Sequence, residues 1–418
     1  MIRKIIGTIL SKSLTSVCNF IVVIVNAHYL GAEGRGEITI IAIGLTTINL
    51  FQAIIGGSAL VYLTPRHSFT SLISISYIWA LLMSIVIGTA LVYFKLYPNI
   101  YFRDLIQLSF IQGILSIHQT LLLGKERIKE QNILEILRAV FGVVGLLLYF
   151  ILIENISINS AIKALYISCL VPLFISYIFI YKYITRFKFK NSGTLIKEFF
   201  KFGFFVQLNN ISQMFNYRFC FYLLDRYYGK AVLGVFSVAV SIAETAWVIC
   251  RSIATIQYAR IANSTDENYK RNLTVTFSKL SYMATFVVLI VMLLIPDSVF
   301  GYIFGSEFSH LKPILASLSP GILFLSFFTI INHYYSGVAR YTVNVAGSVI
   351  GNVVVLVAGL ILIPIYGAVG AGLAGSITYL VMFAFLFKHF TGAQHLKLNS
   401  FLPVKNDFQQ ALRLLKKV

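Results

Sequence analysis

Read from Met1, the chain alternates long apolar stretches with short polar turns. A bilayer core about 30 Å thick needs about 20 helical residues to cross it, and about twelve stretches reach that length. They lie at 5–27, 38–62, 72–94, 105–123, 132–153, 161–182, 199–223, 231–256, 275–296, 312–335, 343–364 and 369–390. The first is too long for the apolar part of a secretory signal and has no small-residue cleavage site before Tyr29. The pattern predicts an all-α polytopic membrane protein with both faces of the bilayer joined by short loops.

Composition narrows the function classes. Of 418 residues, 58% are hydrophobic and 12% charged, against about 45–50% and about 25% in soluble domains. With a mean hydropathy of +0.83, this excludes a cytosolic enzyme, a nucleic-acid-binding domain and a disordered chain. The 34 Lys and Arg against 15 Asp and Glu give a net charge of +19. Between the spans these cations divide roughly 20 to 7, which puts both termini in the cytoplasm by the positive-inside rule. An even span count agrees, and the basic loops then face anionic lipid. Cys18, Cys169, Cys220 and Cys250 fall inside apolar runs at unrelated spacings and read as small core residues.

Catalytic signals are missing. The seven histidines form no ligand-spaced pair, and there is no phosphate-binding Walker loop, nucleophile elbow or loop carboxylate cluster. The expectation is a protein that is not an enzyme and holds no metal or organic cofactor. The longest expected outer loop, around Asp297–His310, is too short for an inserted domain.

The polar stretch Thr185–Glu198 divides the spans six and six. It predicts an N-terminal lobe over 1–184, a cytoplasmic linker over 185–198, a C-terminal lobe over 199–390 and a basic tail over 391–418. In the tail, Phe408, Ala411, Leu412 and Leu415 share one face of a short amphipathic helix. Weak self-similarity supports two halves. Gly31 to Gly36 after the first span matches Gly229 to Gly234 after the seventh, and Gly124-x-x-Arg127 matches Gly337-x-x-Arg340. Six spans per copy give both copies one orientation, as in transporters built from parallel repeats that expose a central cavity to either side in turn.

Polar residues inside the spans mark the candidate site, because a charge there is costly unless it meets a partner or a cavity. Glu244 is the deepest acid, with Arg251 two turns later and Arg218 in the preceding span. It reads either as a helix-locking partner of an arginine or as a group that takes up a coupling ion, H+ or Na+. Lys12, Arg218 and Arg251 together would draw an anion such as phosphate. Lys12, Asn19 and Asn26 recur every seven residues, Asn209, Gln213 and Asn216 lie at helical spacing, and Asn49 and Gln52 stand one turn apart. Amides of this kind bond sugar hydroxyls or join helices. Pro320-Gly321 predicts a kink and a hinge.

Several runs resemble one family. Ala27-His28-Tyr29-Leu30-Gly31-Ala32-Glu33-Gly34-Arg35-Gly36 and Gly56-Gly57-Ser58-Ala59-Leu60 are similar to segments of bacterial O-antigen and polysaccharide flippases. So are His118 to Arg127, Gly229 to Trp247, and Gly367 to Ala374. These flippases belong to the multidrug/oligosaccharidyl-lipid/polysaccharide (MOP) exporter superfamily. The family usually carries a basic residue where this chain has His28.

The resemblance implies two pseudo-symmetric six-helix lobes, MATE-like in fold, in the bacterial inner membrane. It implies movement of undecaprenyl-pyrophosphate-linked oligosaccharide to the outer leaflet by alternating access, for O-antigen, capsule or exopolysaccharide. Membrane lipids, a polysaccharide polymerase and a chain-length regulator are then the expected partners. The expected roles are pyrophosphate attraction by Lys12, Arg218 and Arg251, ion coupling by Glu244, and sugar contact by Asn19, Asn26, Asn49, Gln52, Asn209, Gln213 and Asn216. An ion-coupled multidrug or metabolite exporter on the same fold is the alternative.

Overall fold

A computed structural model describes residues 2–184 and 192–401. The tail helix expected around Phe408–Leu415 lies outside the described residues, as do residues 185–191 of the expected linker. Regular structure among the described residues is helical throughout. The α-helices are α1 Ile2–Gly56, α2 Ser58–Leu63, α3 Phe69–Tyr93, α4 Phe102–Gly124, α5 Ile128–Leu147 and α6 Ile158–Ile180. They continue with α7 Ser192–Ala262, α8 Glu267–Leu294, α9 Asp297–Phe304, α10 Lys312–Gly337 and α11 Tyr341–Gln394.

Nine helices among the described residues are long and apolar enough to span a membrane, and three of those segments run for 54, 56 and 54 residues. At 1.5 Å per residue a straight helix of that length would reach about 80 Å, far beyond a hydrocarbon core of about 30 Å. Each of the three folds back at a glycine, and the first is interrupted again at Gly57, between α1 and α2. Gly31 in α1 has φ 69° and ψ −172°, Gly229 in α7 has φ 79° and ψ −176°, and Gly367 in α11 has φ 56° and ψ −130°. A Cβ strongly disfavours this corner of backbone space. Dividing the three helices at their glycines gives twelve crossings, the number read from the sequence.

The breaks also show the internal duplication. Gly31 and Gly229, paired by sequence, have nearly the same φ and ψ. The second pair of motifs agrees as closely. After Gly124 the chain passes through Lys125 (φ −92°, ψ 11°), Glu126 (φ 58°) and Arg127 (φ −85°, ψ 56°). After Gly337 it passes through Val338 (φ −93°, ψ 13°), Ala339 (φ 57°) and Arg340 (φ −95°, ψ 58°). The amides of Arg127 and Arg340 close the turns on Leu122 O and Tyr335 O, both at 2.8 Å. Each glycine leaves room for a crossing neighbour: a Cβ on Gly124 would strike Thr64, and one on Gly337 would strike Ile261.

Contacts divide the chain into two units, Met1–Ile211 and Ser212–Val418. In the first, Leu60, Leu63, Leu72, Leu121 and Leu134 form a buried core that also takes Leu195 and Phe199 from the start of α7. Trp79 packs edge-on to Phe200, and a Cβ on Gly203 would strike Ile54 O. The helix therefore opens at Ser192, inside the stretch read as linker, and its first turns pack on the first unit. His118 is fully buried, bonded by Nδ1 to Ser176 Oγ at 2.5 Å and by Nε2 to Tyr77 Oη.

In the second unit, α8 starts at an Asp266 cap, whose carboxylate accepts from the amides of Asn268 at 2.9 Å and Tyr269 at 3.1 Å. Pro320 lies within α10 and cannot donate to the helix ladder. Ser376 of α11 enters the ladder beside it. Its Oγ donates to Ser317 O at 2.6 Å and accepts from Gly321 N at 3.0 Å. The helix stays continuous across the expected kink because a hydroxyl from a neighbouring helix bridges the gap. All four cysteines are buried and free.

Nothing lies within 4 Å of a Cβ built on Gly229 or on Gly375, so only backbone conformation separates the two sites. Gly229→Ala is expected to cost about 1–3 kcal/mol, whereas Gly375→Ala, at ordinary helical φ, is neutral or slightly stabilising. Thermal unfolding of the two purified variants checks this; equal midpoints would contradict it.

Candidate functional site

The break at Gly229 builds the site. Arg218 and Glu244 stand 26 positions apart in α7 and would be separated by about 39 Å in a straight helix. Because the chain turns at Gly229, between them, Arg218 Nη2 meets Glu244 Oε1 at 3.2 Å. The same helix carries Arg251 seven residues beyond Glu244, a rise of about 10 Å, too far for a direct pair. Of the two arginines the sequence offered, the fold selects Arg218.

Around this pair the second unit forms a small cleft of about 30 Å³, lined by Asn216, Tyr217, Glu244, Trp247 and Tyr379 among apolar side chains. That volume suits a water or a small ion. The Arg218 guanidinium lies 5.0 Å from the centre of the Phe221 ring, and that of Arg251 lies 4.9 Å from the Trp247 ring. Both rings line the cleft, and a cation over an aromatic face is attracted to it. Trp247 is fixed by its indole N–H, which donates to Thr329 Oγ1 at 2.9 Å. Tyr217 stands edge-on to both Trp247 and Tyr379, with ring centroids at 5.8 Å in each case. It lies within electrostatic reach of Arg218, Glu244 and Arg251.

Two guanidinium groups and one carboxylate thus share an aromatic, largely apolar corner. Arg218 and Glu244 remain about one third exposed, at 31% and 36%, so a ligand can reach them. Asn216 is buried; its Nδ2 donates to Ser348 O at 3.0 Å, and its Oδ1 has no hydrogen-bond partner.

The other expected site residues are placed as follows. Lys12 and Asn19 of α1 are exposed, and Asn26 is buried with Oδ1 lacking a partner. Asn49 Nδ2 donates to Gln112 Oε1 at 2.8 Å. Gln52 is buried, and its Nε2 lies within bonding distance of Ala80 O, Ser84 Oγ and Ser109 O at 2.9–3.2 Å. A Cβ on Gly113 would strike that amide. Asn49 and Gln52 thus join helices of the first unit and are spent on packing. Asn209 and Gln213 are half-buried. Only Asn216, Arg218, Glu244 and Arg251 among the expected residues gather at the cleft.

Tyr217 and Tyr379 complete the cleft and were not foreseen. Tyr217 sits between Asn216 and Arg218, and Tyr379 stands in a span of small apolar residues. A phenol in so apolar a span was the available signal. No cluster of three or more metal-ligating side chains occurs among the described residues.

Comparison with solved structures agrees on one architecture. The lipid II flippase MurJ in an inward closed conformation superposes with a TM-score of 0.74, covering 98% of this chain and 91% of that one, at 14% identity. An inward-facing MATE family multidrug resistance transporter of the MOP superfamily gives 0.68, covering 93% and 99%, also at 14% identity. The chain has the MOP fold. A curated relative, the capsular polysaccharide biosynthesis protein CapF of Staphylococcus aureus, is 24% identical over 260 residues. The match takes in 60% of this chain and 65% of that protein, less than two thirds of its length. No protein-family model matches the chain.

The amide geometry predicts a stability effect. Gln52→Ala should lower unfolding stability by about 1–3 kcal/mol, through the buried groups it leaves unpaired. Substrate affinity of the folded fraction should stay unchanged. A Gln52→Ala protein of normal stability but weakened ligand binding would overturn the packing role.

Proposed function

We propose that this protein is a flippase of the bacterial inner membrane that moves a pyrophosphate-linked oligosaccharide on a polyprenyl carrier between leaflets by alternating access. One observation carries the reading: two guanidinium groups, of Arg218 and Arg251, flank an aromatic cleft in the second unit whose lining carries one carboxylate, Glu244. A site with surplus positive charge among apolar helices suits a pyrophosphate head group. Arginine offers planar paired donors to phosphate oxygens, and the aromatic floor keeps both cations in place. The flippase fold likeness and the capsule-biosynthesis relative favour the same substrate class. Arg218 and Arg251 bind the pyrophosphate, Gln213, one turn from the cleft residue Asn216 on α7, contacts sugar hydroxyls, and Glu244 takes the coupling ion. A polymerase and a chain-length regulator would act on the delivered unit.

The likeness to a multidrug transporter favours a second reading, ion-coupled export of small molecules. Cationic drugs need surplus carboxylate, and Glu244 is already neutralised by Arg218, so this reading is the weaker.

Replacing Arg218 or Arg251 by Ala tests the proposal. Each guanidinium–phosphate contact is worth about 1.5–3 kcal/mol, so each change should cut translocation of lipid-linked oligosaccharide in proteoliposomes roughly tenfold to hundredfold. Full activity of both variants with normal insertion, or efflux of cationic dyes that the substitutions leave intact, would favour the exporter instead.

A further inference from the structure

Arg218 and Glu244 satisfy one another, so an incoming anion meets a guanidinium that is already engaged. We propose that anion and cation binding are linked here by an exchange of partners: pyrophosphate takes Arg218 from Glu244, and a monovalent cation, H+ or Na+, takes the place of Arg218 on the carboxylate. This rests on the anion-site reading above and adds a rule to it, that the site fills with both ions together.

Four observations support the exchange. The Arg218–Glu244 contact of 3.2 Å is longer than the about 2.7–2.9 Å of a strong charge-assisted bond, and a phosphate can offer Arg218 two oxygens in its place. Both side chains are about one third exposed, so neither partner is sealed away. Arg251 has no carboxylate at ion-pair distance among the described residues and is held over the anchored Trp247; it supplies the first foothold for the anion.

The fourth observation concerns the cation. Glu244 lies within an apolar span, between the buried Ala243 and Ala246, where a carboxylate stripped of its partner is costly. Asn216 lines the same cleft, and its buried Oδ1 has no donor. A protonated Glu244 offers a donor to that oxygen, and Na+ would take it as a ligand. The cleft, about 30 Å³, has room for one small ion. The remaining charged and titratable groups nearby are Arg218, Arg251, Tyr217, Tyr379 and Cys220, with His333 beyond Arg251. No second acid stands among these groups to receive the cation.

Calorimetry with inorganic pyrophosphate on the full-length protein in lipid nanodiscs tests the linkage. In Na+-free buffer between pH 6 and 8, uptake of one proton weakens wild-type binding by about tenfold per pH unit beyond the slope of Glu244→Gln. That variant also carries the ionisation of pyrophosphate itself as a baseline. If the cation is Na+, the excess slope is absent. Wild-type affinity then rises about tenfold for each tenfold increase in Na+ at constant ionic strength, while Glu244→Gln does not respond. Should Glu244→Gln fail to insert, wild-type heats in two buffers of unlike ionisation enthalpy count the protons taken up, and the wild-type response to Na+ at constant ionic strength counts the Na+. Equal pH and Na+ responses in wild type and Glu244→Gln, or a wild type that takes up neither a proton nor Na+, overturn the exchange and leave the anion site standing. Wild-type protein that does not bind pyrophosphate overturns both.

Discussion

Hydrocarbon cannot hydrogen-bond, and the architecture of this protein answers that constraint. Backbone polar groups in such a solvent must be satisfied within their own segment, which makes helices the available element. Side-chain polarity must find protein partners as well. Gln52 reaches two neighbouring helices, and Ser376 repairs the ladder that Pro320 interrupts. Arg218 and Glu244 neutralise each other across a turn of one long helix. The three glycine breaks obey the same rule, since they reverse the chain with the loss of very few helical bonds.

The scaffold was legible because its signals are local. Apolar run length sets the crossings, and glycine suits the backbone at Gly31, Gly229 and Gly367; the first two appear in the sequence as matched spacing between two halves of one chain. The paired Gly-x-x-Arg turns were readable for the same reason, although the left-handed residues within them are Glu126 and Ala339. Glycine there serves the close approach of Thr64 and Ile261, which spacing alone does not reveal. Within the stretch read as linker, Lys197 and Glu198 give a polar signal, while Leu195 and the following Phe199 on the same turns of α7 are core residues.

The chemistry was less legible, because it depends on which helix faces which. Periodicity shows that Asn49 and Gln52 share a face with each other, but not that Gln112 and Ser84 stand opposite. The hydrogen bonds that settle these roles link residues 28 to 132 positions apart. Glu244 could be recognised as needing a partner, yet its choice of Arg218 follows from the fold-back at Gly229, a tertiary fact. The ring that seats Arg251 belongs to its own helix. The indole bond that anchors it comes from Thr329 of α10.

The duplication itself separates scaffold from function. Shifting by the interval between Gly31 and Gly229 places Phe20 opposite Arg218, Asn19 opposite Tyr217, Thr46 opposite Glu244 and Ala53 opposite Arg251. None of the charged groups of the cleft recurs in the first half, although the turns that would position them do. A structural requirement of the repeat would be expected in both copies, since both halves turn at the same kind of glycine. The ion pair is therefore not part of what the two halves share. Its desolvation cost, carried by one half alone, fits the binding role proposed for it.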